Sequence, residues 1–403
     1  MSYTPRTYQQ EAIDRSVTFL RSTKGKNGLV VLPTGSGKSI VIAGIVKALG
    51  KPTLVFQPSK EILAQNAAKY ASYGYDCGVY SASAGQKKLR DVTFATVGSV
   101  VRKLHLLDRF EYVIVDECHG VNAKGGMYET VLSHMGRPTI GLTATPYRLN
   151  QETSPWDPFD NYSVLKFLTR TRPRMFDTVV YHVQNRDLFD AGYLAKLTYY
   201  QVQAVNRKML QRNTTGADFT DVSVRMAYQA AGFEQKVVKV VRRLLEIGRK
   251  NVLVFTRFVE EAAAVARAIP GAELVTAESS PKERDRIIGG FRSGRIPVVC
   301  NVGILTTGFD YPELEAVVMA RPTMSLALWY QVVGRGIRPH PGKEHTVIVD
   351  MGDNLPFVDV LLLLRPTNSA TLFQQQLGRG LRLSPGKTAC LVQIGRASCR
   401  ERV

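Results

Sequence analysis

The sequence of 403 residues lacks long apolar runs, paired cysteines and a balancing share of acidic residues. The aliphatic run at residues 361–364 is far shorter than the roughly 20 residues that a membrane-spanning helix needs. Five cysteines are scattered without a CxxC pair, so neither a zinc site nor a disulfide framework is indicated. The N-terminal segment MSYTPRTYQQ is polar and lacks the apolar core of a signal peptide, so we expect a cytoplasmic protein without a membrane partner.

The shortage of acidic residues makes the chain strongly basic. Lysines and arginines number 53 against 34 aspartates and glutamates, which gives a formal net charge of +19 and a pI near 9.8. A basic balance of this size points to a polyanionic partner, and nucleic acid is the usual one. The hydrophobic fraction of 44% allows sizeable cores, and the length suits two domains.

Short apolar runs alternate with helix-like segments in two successive series. The runs are apolar throughout, which favours parallel sheets covered on both faces. We therefore predict an α/β protein with two doubly wound parallel-sheet domains in tandem. The predicted strands lie at 28–33, 53–57, 92–96, 112–116, 139–143, 251–256, 272–276, 296–301, 315–320 and 345–350, and two predicted helices lie at 61–74 and about 233–248.

Turn-forming residues at 150–161 mark the predicted edge of the first domain. Toward the other end, residues 355–393 repeat 311–349 at an offset of 44, with GRG at 334–336 recurring at 378–380. The final residues, IGRASCRERV, resemble a translated sequencing adapter, so we expect a chimeric end. The predicted segments are 1–150 for the first domain, 151–230 for a connection and the start of the second lobe, 231–354 for the second domain, 355–393 for a partial duplicate and 394–403 for the scar.

The segment LPTGSGKS at 32–39 follows a predicted strand and precedes a helix, which is the setting of a phosphate-binding loop. Its glycines allow backbone N–H groups to converge on phosphate oxygens at a helix N-terminus. Lys38 adds a charge near the β- and γ-phosphates, and Ser39 offers its hydroxyl to Mg²⁺. Leu32 stands where the strict pattern has glycine. The ATP-binding candidates in this loop are Thr34, Gly35, Ser36, Gly37, Lys38 and Ser39.

The segment VIVDECH at 113–119 is an apolar strand that ends in two acids. Asp116 is the candidate Mg²⁺ ligand, because a hard cation prefers carboxylate oxygen. Glu117 is the candidate base that orients and deprotonates the attacking water. We assign His119 to coupling rather than to proton transfer.

The segment QVVGRGIR at 331–338 supplies positive charge from a distant part of the sequence. Arg335 and Arg338 are three residues apart, which predicts that they share one helical face. An arginine placed at the γ-phosphate during phosphoryl transfer is worth about 10³–10⁵ in rate. ATP is then expected between the two domains, with the arginines arriving from the second.

At this point the sequence resembles the superfamily 2 helicases and translocases, with DECH standing for the DEAD/DEAH-type box. Within that superfamily it is similar to the RadD-like group of bacterial DNA-repair ATPases. The resemblance covers about residues 1–350 and implies that both predicted domains are RecA-like. The matching segments, in order, are RTYQQEAI, LPTGSGKS, LVFQPSKEILAQN, ATVGSV, VDECH, GLTATPYRL, NVLVFT, NVGILTTGFDYP and QVVGRGIR.

The resemblance implies roles for further residues. Gln9 is the expected reader of the adenine edge, and Gly308 and Asp310 are expected nucleotide contacts. Hydroxyls, amides and backbone N–H groups bind phosphates without reading bases, as a motor on any sequence requires. Residues expected to couple hydrolysis to motion are Thr143, Thr145 and Gln331, with His119. Residues expected to contact the nucleic-acid strand are Pro58, Ser59, Gln65, Thr96, Ser99, Thr256 and Thr306.

We therefore expect an ATP-dependent helicase or translocase that uses ATP and Mg²⁺ and acts on single-stranded or forked DNA in repair or recombination. An RNA helicase and the motor subunit of a restriction system are alternatives; the sequence has no PD…ExK-like nuclease array. A different class, a non-hydrolysing strand-binding clamp or a non-functional fragment, also stays open. The sequence indicates neither DNA over RNA, nor the direction of movement, nor the oligomeric state.

Overall fold

The computed structural model describes residues 4–23, 25–122, 125–153, 161–214, 218–305, 311–352, 354, 360–363 and 391–394. The described residues divide into two compact units. Unit 1 contains the described parts of 1–148 and 166–194, and unit 2 contains those of 149–165, 195–306 and 311 onward. Residues 166–194, within the predicted connection, thus pack as part of unit 1.

Unit 1 is built on an eight-stranded sheet with the order β10-β1-β7-β6-β2-β5-β3-β4. Every neighbouring pair is parallel except β3 with β4. Its strands are β1 (Asn27–Val31), β2 (Thr53–Phe56), β3 (Gly78–Ser81), β4 (Gln86–Lys87), β5 (Val92–Ala95), β6 (Tyr112–Asp116), β7 (Thr139–Thr143) and β10 (Thr178–His182). Its helices are α1 (Thr7–Ser22), α2 (Lys38–Leu49), α3 (Lys60–Ala71), α4 (Val97–Val100), α5 (Met127–Met135) and α6 (Asn185–Asp190).

Unit 2 is built on a six-stranded parallel sheet with the order β11-β16-β15-β12-β14-β13. Its strands are β11 (Lys196–Gln201), β12 (Val252–Thr256), β13 (Glu273–Val275), β14 (Val298–Asn301), β15 (Ala316–Ala320) and β16 (His345–Asp350). Its helices are α7 (Asp221–Ala231), α8 (Phe233–Glu246), α9 (Val259–Ala268), α10 (Pro281–Arg292) and α11 (Leu326–Gly336).

Two further strand pairs lie outside these sheets. They are β8 (Tyr147–Thr153) with β9 (Asn161–Phe167), and β17 (Val360–Leu363) with β18 (Leu391–Ile394). Residues 150–153, predicted to be a turn-rich edge, therefore belong to a strand. Among the helices of the described residues, none is both long and apolar enough to cross a bilayer.

The central strands form because each is a run of side chains that can be buried on both faces. Every residue of β2, β7, β12 and β15 is buried, as expected for strands covered by helices on both sides. Burial of such aliphatic side chains contributes about 25 cal/mol per Å² of apolar surface removed from water. All ten predicted strands are present, with ends within two residues of the predicted ones.

Candidate active site

The candidate site of unit 1 lies along the carboxyl edge of its sheet. The phosphate loop follows β1, Thr145 follows β7, and Glu117 follows β6. Because β1, β7, β6, β2 and β5 are adjacent and parallel, these segments emerge at one edge. This edge is where open α/β sheets bind ligands.

The phosphate loop has the backbone that its glycines permit. Gly35 and Gly37 have φ values of 80° and 82°, a left-handed conformation that side-chain-bearing residues rarely adopt. A Cβ on Gly37 would also lie 2.5 Å from Nε2 of Gln9. Leu32, which replaces the first glycine of the strict pattern, is fully buried, and its N–H donates to the Thr143 carbonyl over 2.9 Å. The loop is thereby tied to β7 before α2 begins at Lys38.

Two side chains of α1 hold one peptide of this loop. The Tyr8 hydroxyl and Nε2 of Gln9 donate to the Ser36 carbonyl over 2.6 and 2.7 Å. Since C=O and N–H of a trans peptide point in opposite directions, the Gly37 N–H is directed away from α1. Oε1 of Gln9 accepts from the Arg6 N–H over 2.9 Å, so both ends of the amide are engaged. The adenine-reading role of Gln9 stays a prediction; the geometry gives it a position beside the loop.

Lys38 and the two acids form a charge cluster in which Asp116 is buried and the other two are half-buried. Nζ of Lys38 lies 2.8 Å from Oε1 of Glu117, and Oδ1 of Asp116 accepts from the Glu117 N–H over 2.9 Å. Glu117 is the one non-glycine among the described residues with a positive φ, at 47°. This strained conformation persists because the surrounding contacts stabilise it, and such outliers cluster at functional sites.

The two carboxyl groups have opposite pKa shifts. Burial, and then the neighbouring Glu117 carboxylate, raises the pKa of Asp116. Burial acts in the same direction on Glu117, but the Lys38 ammonium and the His119 contact outweigh it, so the pKa of Glu117 is lowered. Two adjacent acids with diverging pKa values are typical of catalytic centres.

His119 connects the acids to the segment after β7. Its Nδ1 lies 3.3 Å from Oε2 of Glu117 and 3.0 Å from Oγ1 of Thr143. Oγ1 of Thr143 in turn accepts from the Thr145 N–H over 3.0 Å. The predicted coupling residues of unit 1 are thus in contact with each other and with the predicted base.

Asn66, from α3, connects the two candidate metal ligands. Its Oδ1 accepts from the Ser39 hydroxyl over 2.6 Å, and its Nδ2 donates to Oδ2 of Asp116 over 3.1 Å. Nδ2 also donates to Oε1 of Gln57 over 2.9 Å. One amide contacts both the hydroxyl and the carboxylate, and both are oxygen ligands of the kind Mg²⁺ prefers. The residues present therefore fit Mg²⁺.

The strand-contact candidates of unit 1 lie on the same sheet edge. Pro58 and Gln65 are exposed, and the Ser59 hydroxyl caps α3 by accepting from the Ile62 N–H over 3.3 Å. The hydroxyls of Thr96 and Ser99, after β5, are 2.8 Å apart. These positions follow neighbouring strands, and their role in strand binding stays a prediction.

In unit 2, Thr256 ends β12 with its hydroxyl turned inward, donating to the carbonyls of Phe258 and Asn301 over 3.2 and 3.4 Å. Gln331 and Arg335 lie on α11. Burial lowers the pKa of Arg338 to about 10. Thr306, Gly308 and Asp310 lie outside the described residues.

The prediction that Arg335 and Arg338 share one helical face is wrong, because α11 ends at Gly336. The Gly336 carbonyl accepts from Nζ of Lys343 over 3.0 Å and from the Thr346 hydroxyl over 2.8 Å. Pro339 follows Arg338 and disfavours helical backbone at the residue before it. Arg335 therefore lies in the last helical turn and Arg338 in the segment after it.

Tyr8 and Asn66 were not among the predicted site residues. Asn66 carried a detectable signal, since it lies three residues after Leu63 and four before Tyr70, on the buried face of α3. A polar side chain at such a position must find buried partners. Tyr8 carried no such signal, because a tyrosine on a buried helix face is ordinary core.

Family models match two successive parts of the chain, which together make up more than half of its 403 residues. The model described as "Type III restriction enzyme, res subunit" matches residues 2–148, and "Helicase conserved C-terminal domain" matches residues 235–340. A solved fragment of an HsdR subunit of a type I restriction enzyme from Vibrio vulnificus is similar, with a TM-score of 0.63 and 23% identity. That match covers 87% of this chain and 65% of the solved one.

Curated relatives extend the similarity over both units. "Putative ATP-dependent helicase IRC3" of Saccharomyces cerevisiae is 25% identical over 381 residues, covering 86% of this chain and 51% of the relative. "DNA 3'-5' translocase XPB2" of Sulfurisphaera tokodaii is 24% identical over 368 residues, covering 83% and 78%. The chain spans 51%, 65% and 57% of the lengths of three such relatives, so about half to two thirds.

The two parallel sheets, each with its helicase-type match, define an α/β protein with tandem RecA-like domains, and the predicted fold class is confirmed. The two family matches and the helicase relatives, at 25% and 24% identity, support assignment to the superfamily 2 helicases and translocases.

Proposed function

We propose that this chain hydrolyses ATP and uses the energy to move along DNA. The observation that carries the proposal is the 2.8 Å contact between Lys38 and Glu117 at the start of α2, beside Asp116. Lys38, the candidate base Glu117 and the candidate metal ligand Asp116 thus lie together at the N-terminus of α2. At this end the helix dipole and the free N–H groups favour an anion.

The chemistry follows from what these side chains can exchange. Lys38 can leave the Glu117 carboxylate for the phosphate oxygens of ATP, since both partners are oxyanions. Glu117, still in contact with His119, is then free to accept a proton from the attacking water. Ser39 and Asp116 would hold Mg²⁺, which when bound neutralises charge on the phosphate oxygens. Arg335 and Arg338 are proposed to contribute from the second domain.

Two observations support a nucleic-acid track, and the name of a relative favours DNA. The net charge of +19 favours a polyanion. The hydroxyl and amide side chains of Ser59, Gln65, Thr96 and Ser99 suit phosphate contacts without base reading. The relative from Sulfurisphaera tokodaii is named a DNA 3'-5' translocase, and we adopt that direction for the test.

The decisive experiment measures ATP turnover by the purified chain alone and with single-stranded DNA, forked DNA, duplex DNA or RNA. Stimulation by single-stranded or forked DNA supports the proposal, and displacement of streptavidin from one labelled end reports direction. A chain that binds DNA but never hydrolyses ATP would be the strand-binding clamp. Preferential stimulation by RNA would replace DNA as the track.

Replacing Lys38 by alanine removes the charge that meets the phosphates, and we expect turnover to fall by about 10³-fold or more. Steady-state ATPase assays with excess DNA measure this. Lys47→Ala is the matched control, because Lys47 lies on the same helix with an exposed side chain. Equal losses in both variants would mean that α2 has been damaged rather than the site.

Replacing Glu117 by glutamine keeps the shape but removes the proton acceptor. We expect bound ATP to be trapped, with hydrolysis reduced about 10²–10⁴-fold. Filter binding of labelled ATP and single-turnover hydrolysis separate the two effects. Glu111→Gln, at an exposed residue just before β6, is the control. Wild-type hydrolysis in Glu117→Gln would show that another group is the base.

The motor subunit of a restriction system is a second candidate, favoured by the match of residues 2–148 to a restriction-enzyme subunit model. It predicts stimulation by unbroken duplex DNA above that by single strands. The same panel of nucleic acids distinguishes the two candidates.

Two finer assignments belong to the proposal. Membership of the RadD-like group and a role in repair rest on the motif series. The domain limits 1–150 and 231–354, with 355–393 as a partial duplicate in a chimeric end, rest on the turn-rich segment and the 44-residue offset. ATPase activity of residues 1–354 equal to that of the full chain would support the last assignment.

A further inference from the structure

The side chain of Asn66 is buried, at 5% exposure, and every hydrogen-bonding group it offers has a partner. Its carbonyl oxygen accepts from Ser39, and its NH₂ group donates to both Gln57 and Asp116. One acceptor and two donors converge on three different elements: the start of α2, the end of β2 and the end of β6.

The contact with Ser39 also orients a proton. The Ser39 hydroxyl directs its hydrogen to Oδ1 of Asn66 over 2.6 Å. Its oxygen lone pairs then point elsewhere, as a hydroxyl must have them to bind a cation. On the other side, Oδ2 of Asp116 is held at 3.1 Å by the same amide, which sets the carboxylate relative to that hydroxyl.

Asn66 sits on the helix that carries the exposed strand-contact candidates. Gln65 is its neighbour in sequence and is exposed, whereas Asn66 faces the sheet. Ser59 caps the same helix, and Gln57, the second partner of Asn66, directly precedes Pro58. A small shift or rotation of α3 on binding a strand would therefore move the amide that holds Ser39 and Asp116.

We propose that Asn66 is a positioning residue that couples strand contact on α3 to the metal-binding pair Ser39 and Asp116. This inference rests on the proposed function. Only an asparagine or glutamine amide supplies an acceptor and two donors, and the shorter asparagine fits the distances seen. An aspartate of equal size accepts but cannot donate to Gln57 and Asp116.

The test compares Asn66→Ala and Asn66→Asp with wild type in the full chain. Both variants should raise the Mg²⁺ concentration for half-maximal ATPase about tenfold, because each removes the NH₂ group that donates to Asp116. Stimulation by single-stranded DNA should fall at least fivefold at saturating Mg²⁺. A fluorescent ATP analogue should bind with wild-type affinity in EDTA but gain less affinity when Mg²⁺ is added.

Asn27→Ala is the matched control, because the Asn27 amide also makes a part-buried hydrogen bond in unit 1, to the Met175 carbonyl over 2.8 Å, at the opposite end of β1. If Asn66 has a purely structural role, Asn66→Ala and Asn27→Ala should lower turnover equally, and the responses of Asn66→Ala to Mg²⁺ and to DNA should be unchanged. That result would overturn the inference, as would an unaltered Asn66→Ala. Absence of turnover in wild type with every nucleic acid would instead overturn the proposed function itself.

Discussion

The functional side chains of unit 1 and unit 2 are positioned in different ways. In unit 1 they contact one another, through the Lys38–Glu117 ion pair and the His119 bridge to Thr143. In unit 2 the arginines stand at the end of one helix, whose last carbonyl, at Gly336, is held by neighbouring side chains. A substitution in unit 1 therefore disturbs several participants together, whereas in unit 2 a residue such as Lys343 contacts the backbone beside the arginines.

The strongest test of this comparison is Arg338→Ala. If Arg338 stabilises the γ-phosphate during transfer, turnover should fall about 10³-fold while ATP affinity changes little, because the contribution belongs to the transition state. Pre-steady-state binding and steady-state turnover measure the two quantities. Arg295→Ala, an exposed arginine of the same unit, is the control. A proportional loss of ATP affinity would instead indicate a ground-state contact.

A smaller effect is expected from Lys343→Met, which removes the hydrogen bond to the Gly336 carbonyl. Thr346 still donates to that carbonyl, so the end of α11 should loosen rather than unfold. Burial, and then the charge of Arg338, lowers the pKa of Lys343 to about 8, so its replacement also relieves a like-charge contact. We expect turnover to fall about tenfold with unchanged ATP affinity, against Lys282→Met as an exposed control on α10. Wild-type turnover would show that the helix end needs no lysine.

The smallest effect should come from Glu261, a buried acid of unit 2 with no place in the proposed chemistry. It is 8% exposed, and within the described residues its Oε2 has no hydrogen-bond partner. Burial, and then the Glu260 charge, raises its pKa to about 8. A raised pKa means that the folded state binds the extra proton, so its stability is full below the ordinary carboxyl range and falls as pH rises toward 8.

Glu261→Gln should remove this dependence and stabilise unit 2 at pH 8 by about 1–3 kcal/mol, with little change at pH 4. Denaturant titrations at several pH values measure it, and ATP turnover should stay at wild-type level. Glu246→Gln, at an exposed residue of α8 in the same unit, is the control and should show no such gain. An unchanged pH slope in Glu261→Gln would assign the pH dependence to other groups.

Most of the fold could be predicted because the central strands are continuous apolar runs. Four strands of the two main sheets, β3, β4, β10 and β11, were not predicted. The strands β10 and β11 lie at sheet edges and are mostly exposed or half-buried, so they lack the fully buried apolar run of a central strand. Part of the predicted connecting segment thus became a parallel strand beside β1.

In the candidate site, too, some features follow from local sequence and others only from contacts between distant segments. The motifs predicted Lys38, Asp116 and Glu117 as site residues, because residue type and position after a strand indicate their chemistry, and the structure places the three in contact. Two hydrogen bonds could not be predicted, because they join segments far apart in the sequence. The Tyr8 hydroxyl bonds the phosphate loop 28 residues away, and the Asn66 amide bonds Asp116 50 residues away. The prediction also extended α11 as far as Arg338, whereas the helix ends at Gly336. Hydrogen bonds from Lys343 and Thr346 to the Gly336 carbonyl contribute to that end, together with the local sequence.

The sequence by itself determined the α/β class, the two series of buried strands and the residue types predicted to meet a triphosphate, because burial period and motif spacing are local properties of a chain. Only the tertiary structure decided which of those side chains contact one another, where the edge strands pair and which amide joins the candidate metal ligands to α3. Those features depend on hydrogen bonds between elements far apart in sequence, and such bonds form once the sheets have brought the elements together.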